Sequence, residues 1–191
     1  MSLIEIQNKI KFKNFVDLSK EEALQVLGYR NMPEIRKNML TQEIITRENH
    51  FQFIRNLNED SSKRYFGVLY CNSVIGAVSL VDIDEQKKSA SWGFYIGEKP
   101  IKGIGSIVEY LFIEFVFNIL NFNHLFCEVF EENVSVIKLH RRFGFSQNKK
   151  LYDYARINNT IHNGIQMGLE KTTWDNSYKD KIQTILNQIL R

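Results

Sequence analysis

The sequence of 191 residues is short of most features that mark specialised protein classes. It has only two prolines and no low-complexity tract, and 43% of its residues are apolar and 25% charged. Disordered and collagen-like chains are thereby excluded, and folding throughout is expected. Two cysteines, Cys71 and Cys127, are too few for a disulfide framework; both lie in apolar runs, which predicts reduced core thiols. No run approaches the ~18 consecutive apolar residues of a membrane span, and no charged-then-apolar leader opens the chain. Positive charge is scarce as a surplus: 25 Lys and Arg against 22 Asp and Glu leave +3. That is too little to supply the non-specific affinity of a nucleic-acid protein. The four histidines, His50, His124, His140 and His162, contain no i, i+4 pair, so no metal is expected. These absences lead to the expectation of a cytoplasmic protein with neither nucleic acid nor membrane as partner; a monomer or homodimer is expected. Met1-Ser2-Leu3 reads as an expression remnant.

The periodicities that are present describe one mixed α/β domain. Lys9 to Val16 alternates like a first strand, and Ser19-Lys20-Glu21-Glu22 is a capping box that opens a helix. That helix should end near Arg30, because Pro33 disfavours helical geometry just before it. Thr46 is a candidate cap for a second helix with Phe51, Ile54 and Leu57 on one face. From Arg64 the period becomes two: Tyr65 to Tyr70, Val74 to Val81 and Ala90 to Ile96 read as an antiparallel meander. Ile104, Ile107, Val108, Leu111, Phe112, Phe115, Val116 and Ile119 then recur at spacings of three and four, predicting a long buried helix. His124 to Phe130 is a strand, Val134 to Phe143 a helix ending at Gly144, and Leu151 to Arg156 with Ile161 to Leu169 a hairpin across Asn158-Asn159. Trp174 to Leu190 is expected to close the domain as a helix.

Two stretches carry chemistry. In Gly97-Glu98-Lys99-Pro100-Ile101-Lys102-Gly103-Ile104-Gly105-Ser106 a strand passes through a glycine-containing turn into a helix. Free backbone N–H groups and the positive end of the helix dipole converge there, a seat for pyrophosphate; the same glycines equally read as a tight turn. The Walker ending is missing, and so is the early βαβ unit of a dinucleotide fold. The second stretch, Asn133-Val134-Ser135-Val136-Ile137-Lys138-Leu139-His140-Arg141-Arg142-Phe143-Gly144-Phe145, begins where the strand to Phe130 ends.

Together the two stretches resemble the GNAT superfamily of acyl-CoA N-acyltransferases, over roughly residues 10 to 170. Pro100 stands where the family's first loop usually has Arg or Gln, Val136 replaces the usual alanine and His140 the usual tyrosine. The resemblance implies a central mixed, mostly antiparallel sheet with splayed fourth and fifth strands and flanking helices. Residues 1–170 would be the GNAT N-acetyltransferase domain and 171–191 a helical extension of the same domain. It implies acetyl-CoA as cosubstrate and no metal, with the pyrophosphate on the N–H groups of Lys102, Gly103, Ile104, Gly105 and Ser106. The pantetheine arm would lie beside Phe94, Tyr95 and Ile96 and be held by Asn133. Lys102, Lys138 and Arg141 would meet the phosphates, though each alone also reads as a solvated surface charge.

The N-terminal half is most similar to the amino-sugar acetyltransferases of the pseudaminic acid pathway. Tyr29-Arg30-Asn31-Met32-Pro33, Met39, His50-Phe51-Gln52-Phe53-Ile54, Arg64-Tyr65-Phe66 and Leu125 to Glu131 carry that similarity. It implies acetylation of the primary amine of a UDP-linked 4-amino-4,6-dideoxy sugar for flagellin or surface glycan synthesis, by direct transfer in a ternary complex. Arg30, Met39, His50 and Phe53 would line the nucleotide-sugar pocket, a set suited to stacking on uracil and pairing with diphosphate. His50 and Phe53 also read as a plain helix face, and Met39 as core filler.

A sugar ammonium must lose a proton before it attacks. Glu128, at the family's base position, is the candidate, and burial beside a pocket would raise its pKa into a useful range. An outward-facing glutamate in an alternating strand is the competing reading. His140 occupies the slot of the family's acid and would donate to the departing thiolate if protonated; a merely structural histidine is the alternative, with Tyr152 or Tyr154 as substitute donor. Two other functions fit: acetylation of a protein N-terminus or polyamine, and a non-catalytic acetyl-CoA-binding module.

Overall fold

The computed structural model describes residues 2–190. A short helix, α1 (Leu3–Gln7), opens them, closed by a capping box between Ser2 and Glu5. Leu3 and Ile6 are buried, and the Leu3 N–H donates to Asn187 Oδ1 at 3.0 Å. Ser2 and Leu3 therefore take part in the fold, and Met1 lies outside the described residues. β1 (Ile10–Asn14) and a 3₁₀ turn (Phe15–Asp17) lead to α2 (Lys20–Arg30), whose first turn has the expected reciprocal bonds between Ser19 and Glu22. α2 stops at Arg30 as expected. Not expected was α3 (Pro33–Arg36), a single turn that Pro33 starts, where a missing N–H costs no helical bond. α4 (Arg47–Asn56) is capped by Thr46, whose Oγ1 accepts from the Asn49 N–H at 3.2 Å.

β2 (Arg64–Tyr70), β3 (Ser73–Asp84) and β4 (Ser89–Ile96) form the expected antiparallel meander. The turn between β2 and β3 is Cys71-Asn72, both residues at positive φ. Such a two-residue turn projects its side chains into solvent, so Cys71 is exposed and not the core thiol expected; Cys127 is buried. The long helix begins as α5 (Ile104–Glu114) and ends in a π turn (Phe115–Ile119), where the Leu120 N–H donates to the Phe115 carbonyl at 3.0 Å. The wider turn rotates the last position of the apolar stripe off the core, leaving Ile119 67% exposed. β5 (His124–Phe130), α6 (Val134–Arg142), β6 (Ser146–Ile157) and β7 (Thr160–Glu170) follow, with the hairpin turning at Asn158-Asn159 as expected. β6 starts five residues earlier than its apolar pattern, because its first residues are exposed. α7 (Lys171–Thr173), a π turn (Trp174–Tyr178) and α8 (Lys179–Ile189) complete the chain.

The seven strands make one sheet in the order β1-β2-β3-β4-β5-β7-β6, antiparallel at every step except β4 with β5. Each face covers its own core. On one, residues of α1, α5, α6 and α8 pack on Trp92, Leu125, Cys127 and Met167. Trp174 is fully buried there beside Tyr110 and Phe143, tying the C-terminal segment to the same core. On the other, residues of α2, α3 and α4 pack on Leu69, Val74 and Ala77.

Candidate active site

The one parallel contact in the sheet is where it opens. β4 and β5 pair only through Ser89–His124, Ala90–Leu125 and Ser91–Phe126. Beyond that, β4 stays bound to β3 as far as Ile96, and β5 to β7 as far as Phe130. Each strand is satisfied on its outer edge and unpaired on its inner one. The edges of residues 92–96 and 127–130 thus face each other across a gap, with backbone groups available to an extended ligand.

The mouth of α5 lies beyond the end of β4. Gly97 lets the chain leave the sheet there: the Tyr29 ring packs so closely that a Cβ on residue 97 would stand 2.1 Å from it. Gly103, the N-cap, has φ 77° and ψ 9°, a left-handed conformation that strains any L side chain, and no side chain caps the N–H groups behind it. A Cβ on Gly105 would meet nothing nearer than the Phe94 ring edge at 4.0 Å. Lys102, Ile104 and Ser106 complete this turn, with no acidic residue in it. The mouth is open, electropositive by its dipole, and adjoins the gap in the sheet.

Alternation along β4 divides its residues between the two faces. Phe94 lies on the α5 side, stacked on Trp92 at 5.3 Å, while Tyr95 joins the α2–α4 core. Burial pushes the Tyr95 phenol far above its usual range. On α6, Asn133 is the N-cap residue and its Oδ1 accepts from the Ser135 hydroxyl at 3.1 Å. Lys138 and Arg141 are exposed, so no geometry commits them to a phosphate.

His140 is 3% exposed and its Nδ1 lies 2.7 Å from Oε1 of Glu109, which is 0% exposed. The ring is walled by Trp92, Phe94 and Phe145, with Cys127 of β5 beside it. Burial would lower its pKa, but the charge of Glu109, with hydrogen bonding to Cys127 and Glu109, pushes it up to about 10. Burial also raises the Glu109 carboxyl, against the opposing pull of the His140 charge and hydrogen bond. Glu109 was not singled out in the sequence, although it is the only charge between Ile104 and Ile113.

Because Cys127 faces His140, Glu128 points to the opposite face of the sheet. It is exposed, not buried beside a pocket as expected: the packing alternation of Leu125, Cys127 and Val129 turns it outward. The Gln166 amide donates to its Oε1 at 3.1 Å. The Tyr154 hydroxyl faces the same carboxylate, and burial followed by that charge pushes the phenol far up.

On the α2–α4 face the structure groups Arg30, Met39 and Phe53 with Tyr65 and Tyr95. His50 stands apart from this group. Its ring is buried, with Nε2 2.9 Å from the Ala23 carbonyl, so it ties α4 to α2, and burial lowers its pKa. Arg36, unnoticed in the sequence, joins Arg30. Arg30 Nη2 donates to the Thr41 carbonyl at 2.8 Å and Arg36 Nη1 to the Gln42 carbonyl at 2.7 Å. Arg30 Nη1 and Arg36 Nε are buried without a partner among the described residues. The groups acting on Arg30 are Tyr95, Arg36 and Tyr65, with no carboxylate among them, and burial lowers its pKa. Two adjacent guanidiniums with unused N–H groups are matched by an anion.

Comparison with known proteins agrees with this geometry. The model of the acetyltransferase (GNAT) domain matches residues 18–164. Acetyltransferase PseH of Campylobacter jejuni is 36% identical over 149 residues, which cover 78% of this chain and 92% of that protein. The crystal structure of Campylobacter jejuni N-acetyltransferase PseH in complex with acetyl coenzyme A superposes with a TM-score of 0.63 at 28% identity, covering 85% of this chain and 99% of that one. Spermidine N(1)-acetyltransferase of Escherichia coli is 30% identical over 128 residues, 66% of this chain and 69% of its own length.

Proposed function

The chain belongs to the GNAT acetyltransferase family, and from that premise we propose that its acceptor is the primary amine of a UDP-linked 4-amino-4,6-dideoxy sugar of the pseudaminic acid type. As an N-acetyltransferase it takes the acetyl group from acetyl-CoA. The α5 mouth receives the coenzyme's pyrophosphate on backbone N–H groups, with Lys102, Lys138 and Arg141 as outer charges and Asn133 beside the arm. The arm itself lies along Phe94 to Ile96 in the gap, where a backbone N–H polarises the thioester carbonyl.

The observation that carries the acceptor is Arg30, buried in part, acted on by Tyr95, Arg36 and Tyr65 with no carboxylate among them, beside the cluster of Met39, Phe53, Tyr65 and Tyr95, with Arg36 adding a second buried N–H that has no partner among the described residues. A nucleoside diphosphate supplies the missing negative charge and a base to stack on the rings. His50 supports this pocket from behind by fixing α4 to α2. Glu128, reached from this face, takes the ammonium proton directly or through water, and the amine attacks across the gap. The spermidine relative gives the competing reading, but a polyamine is a polycation and would meet two uncompensated guanidiniums. A small soluble sugar nucleotide also suits a cytoplasmic enzyme.

The test is direct. Acetyl-CoA with the UDP-4-amino sugar should release free thiol and give the UDP-linked acetamido sugar by mass spectrometry, with UDP competitive against the sugar. Glu128→Gln should lower kcat at least 100-fold and leave acetyl-CoA binding unchanged. No transfer to the sugar, or UDP that neither binds nor competes, contradicts the proposal; full turnover in the variant removes Glu128 from its role.

A further inference from the structure

The buried pair on the coenzyme side of the sheet has no part in the reaction described so far. Glu109 sits in α5 among apolar neighbours, completely buried, with Oε1 on His140 Nδ1 and Oε2 without a partner among the described residues. An ion pair in such a place rarely improves stability over apolar residues of the same volume, so folding alone is a weak reason for it. The ring is held rigidly, at 5.3 Å from Trp92, 6.3 Å from Phe94 and 5.2 Å from Phe145. The titratable groups facing it are Glu109 on α5 and Cys127 on β5; β4 and the segment after α6 contribute only the apolar rings just named. Trp92 and Cys127 are the first residues beyond the last β4–β5 pair, Ser91 with Phe126. His140 is therefore lodged at the vertex of the gap.

We propose that Glu109 is a positioning residue for acetyl transfer, fixing Nδ1 of His140 as a donor to its own carboxylate and keeping the ring charged, so that the second ring N–H, held beside Cys127 at the vertex, can turn from that thiol to the coenzyme's departing sulfur. The inference rests on the acetyl-transfer reading and not on which amine accepts. As the tetrahedral intermediate collapses, the C–S bond breaks, its electron pair stays on sulfur, and the Nε2 proton passes to that sulfur to give the free thiol. The proton that the new amide nitrogen sheds restores the imidazolium. Substrate ammonium thus yields amide, thiol and one proton released to solvent. A neutral imidazole without Glu109 would offer only a hydrogen bond.

The full-length protein tests this without substrate. Nitrogen-15 NMR of the imidazole should find His140 doubly protonated at pH 8 in the wild type and mostly neutral in Glu109→Gln. With any amine the enzyme accepts, that variant should lose roughly 10- to 100-fold in kcat, keep its KM for acetyl-CoA within about twofold, and decline further as pH rises above the lowered pKa. The double variant Glu109→Gln/His140→Tyr, whose neutral hydroxyl donor needs no counter-charge, should recover much of the loss. A neutral His140 in the wild type at pH 8, or an unchanged kcat and pH profile in a folded Glu109→Gln, overturns the proposal alone. Absence of transfer to every amine overturns the acetyl-transfer reading and this inference with it.

Discussion

The two sides of the β4–β5 gap are built from different materials. The coenzyme side is mostly backbone: an uncapped helix mouth, a left-handed glycine and an unpaired strand edge, with the nearby charges Lys102, Lys138 and Arg141 left exposed. The acceptor side is mostly side chain: Arg30, Arg36, Tyr65 and Tyr95 meet from α2, α3, β2 and β4. A backbone seat recognises what every coenzyme A molecule shares, whereas a side-chain pocket can be respecified by a few substitutions. Relatives that act on different amines can therefore keep one fold.

This contrast can be broken at three places. Replacing both Arg30 and Arg36 with alanine should do most damage. A hydrogen bond to a charged group is worth about 1.5–3 kcal/mol, so steady-state assays should find kcat/KM for the nucleotide sugar lowered on the order of 100-fold, with acetyl-CoA KM little changed. Equal loss for both substrates would deny the separation of the two sides. Next, Gly103→Val forces φ 77° on a branched residue and brings its Cβ 3.0 Å from Ile189 Cγ2. Strain of about 1–3 kcal/mol at the mouth should weaken acetyl-CoA roughly tenfold by calorimetry, while UDP affinity holds. The smallest effect belongs to Lys102→Gln with Lys138→Gln. At about 0.5 kcal/mol each, the middle of the range for exposed charges, acetyl-CoA affinity should fall by roughly fivefold, and by less still at high salt. A larger loss would mean that side-chain charge, not backbone, holds the diphosphate.

Local signals were the legible ones. The Ser19–Glu22 box, the Thr46 cap, the period-two meander and the turn at Asn158-Asn159 each act within a few residues, and each stands where the sequence put it. Glu128's outward direction was also legible, since Leu125, Cys127 and Val129 alternate as the buried set. Other features were not. The π turn that exposes Ile119 leaves the apolar stripe unbroken in sequence and is decided by tertiary packing. The partners Glu109–His140, separated by 31 residues, and Arg30–Arg36 meet only through the fold. A charge inside the apolar run of α5 was the visible trace of the first pair; nothing distinguished Arg36 from surface arginines.

Charge selectivity of the acceptor side is the most direct test. With acetyl-CoA saturating, kcat/KM should favour the UDP-4-amino sugar over spermidine by on the order of 100-fold or more, and the preference should collapse when Arg30 and Arg36 are both alanine. Spermidine acetylated as well as the sugar, or a preference that survives loss of both guanidiniums, would contradict the account.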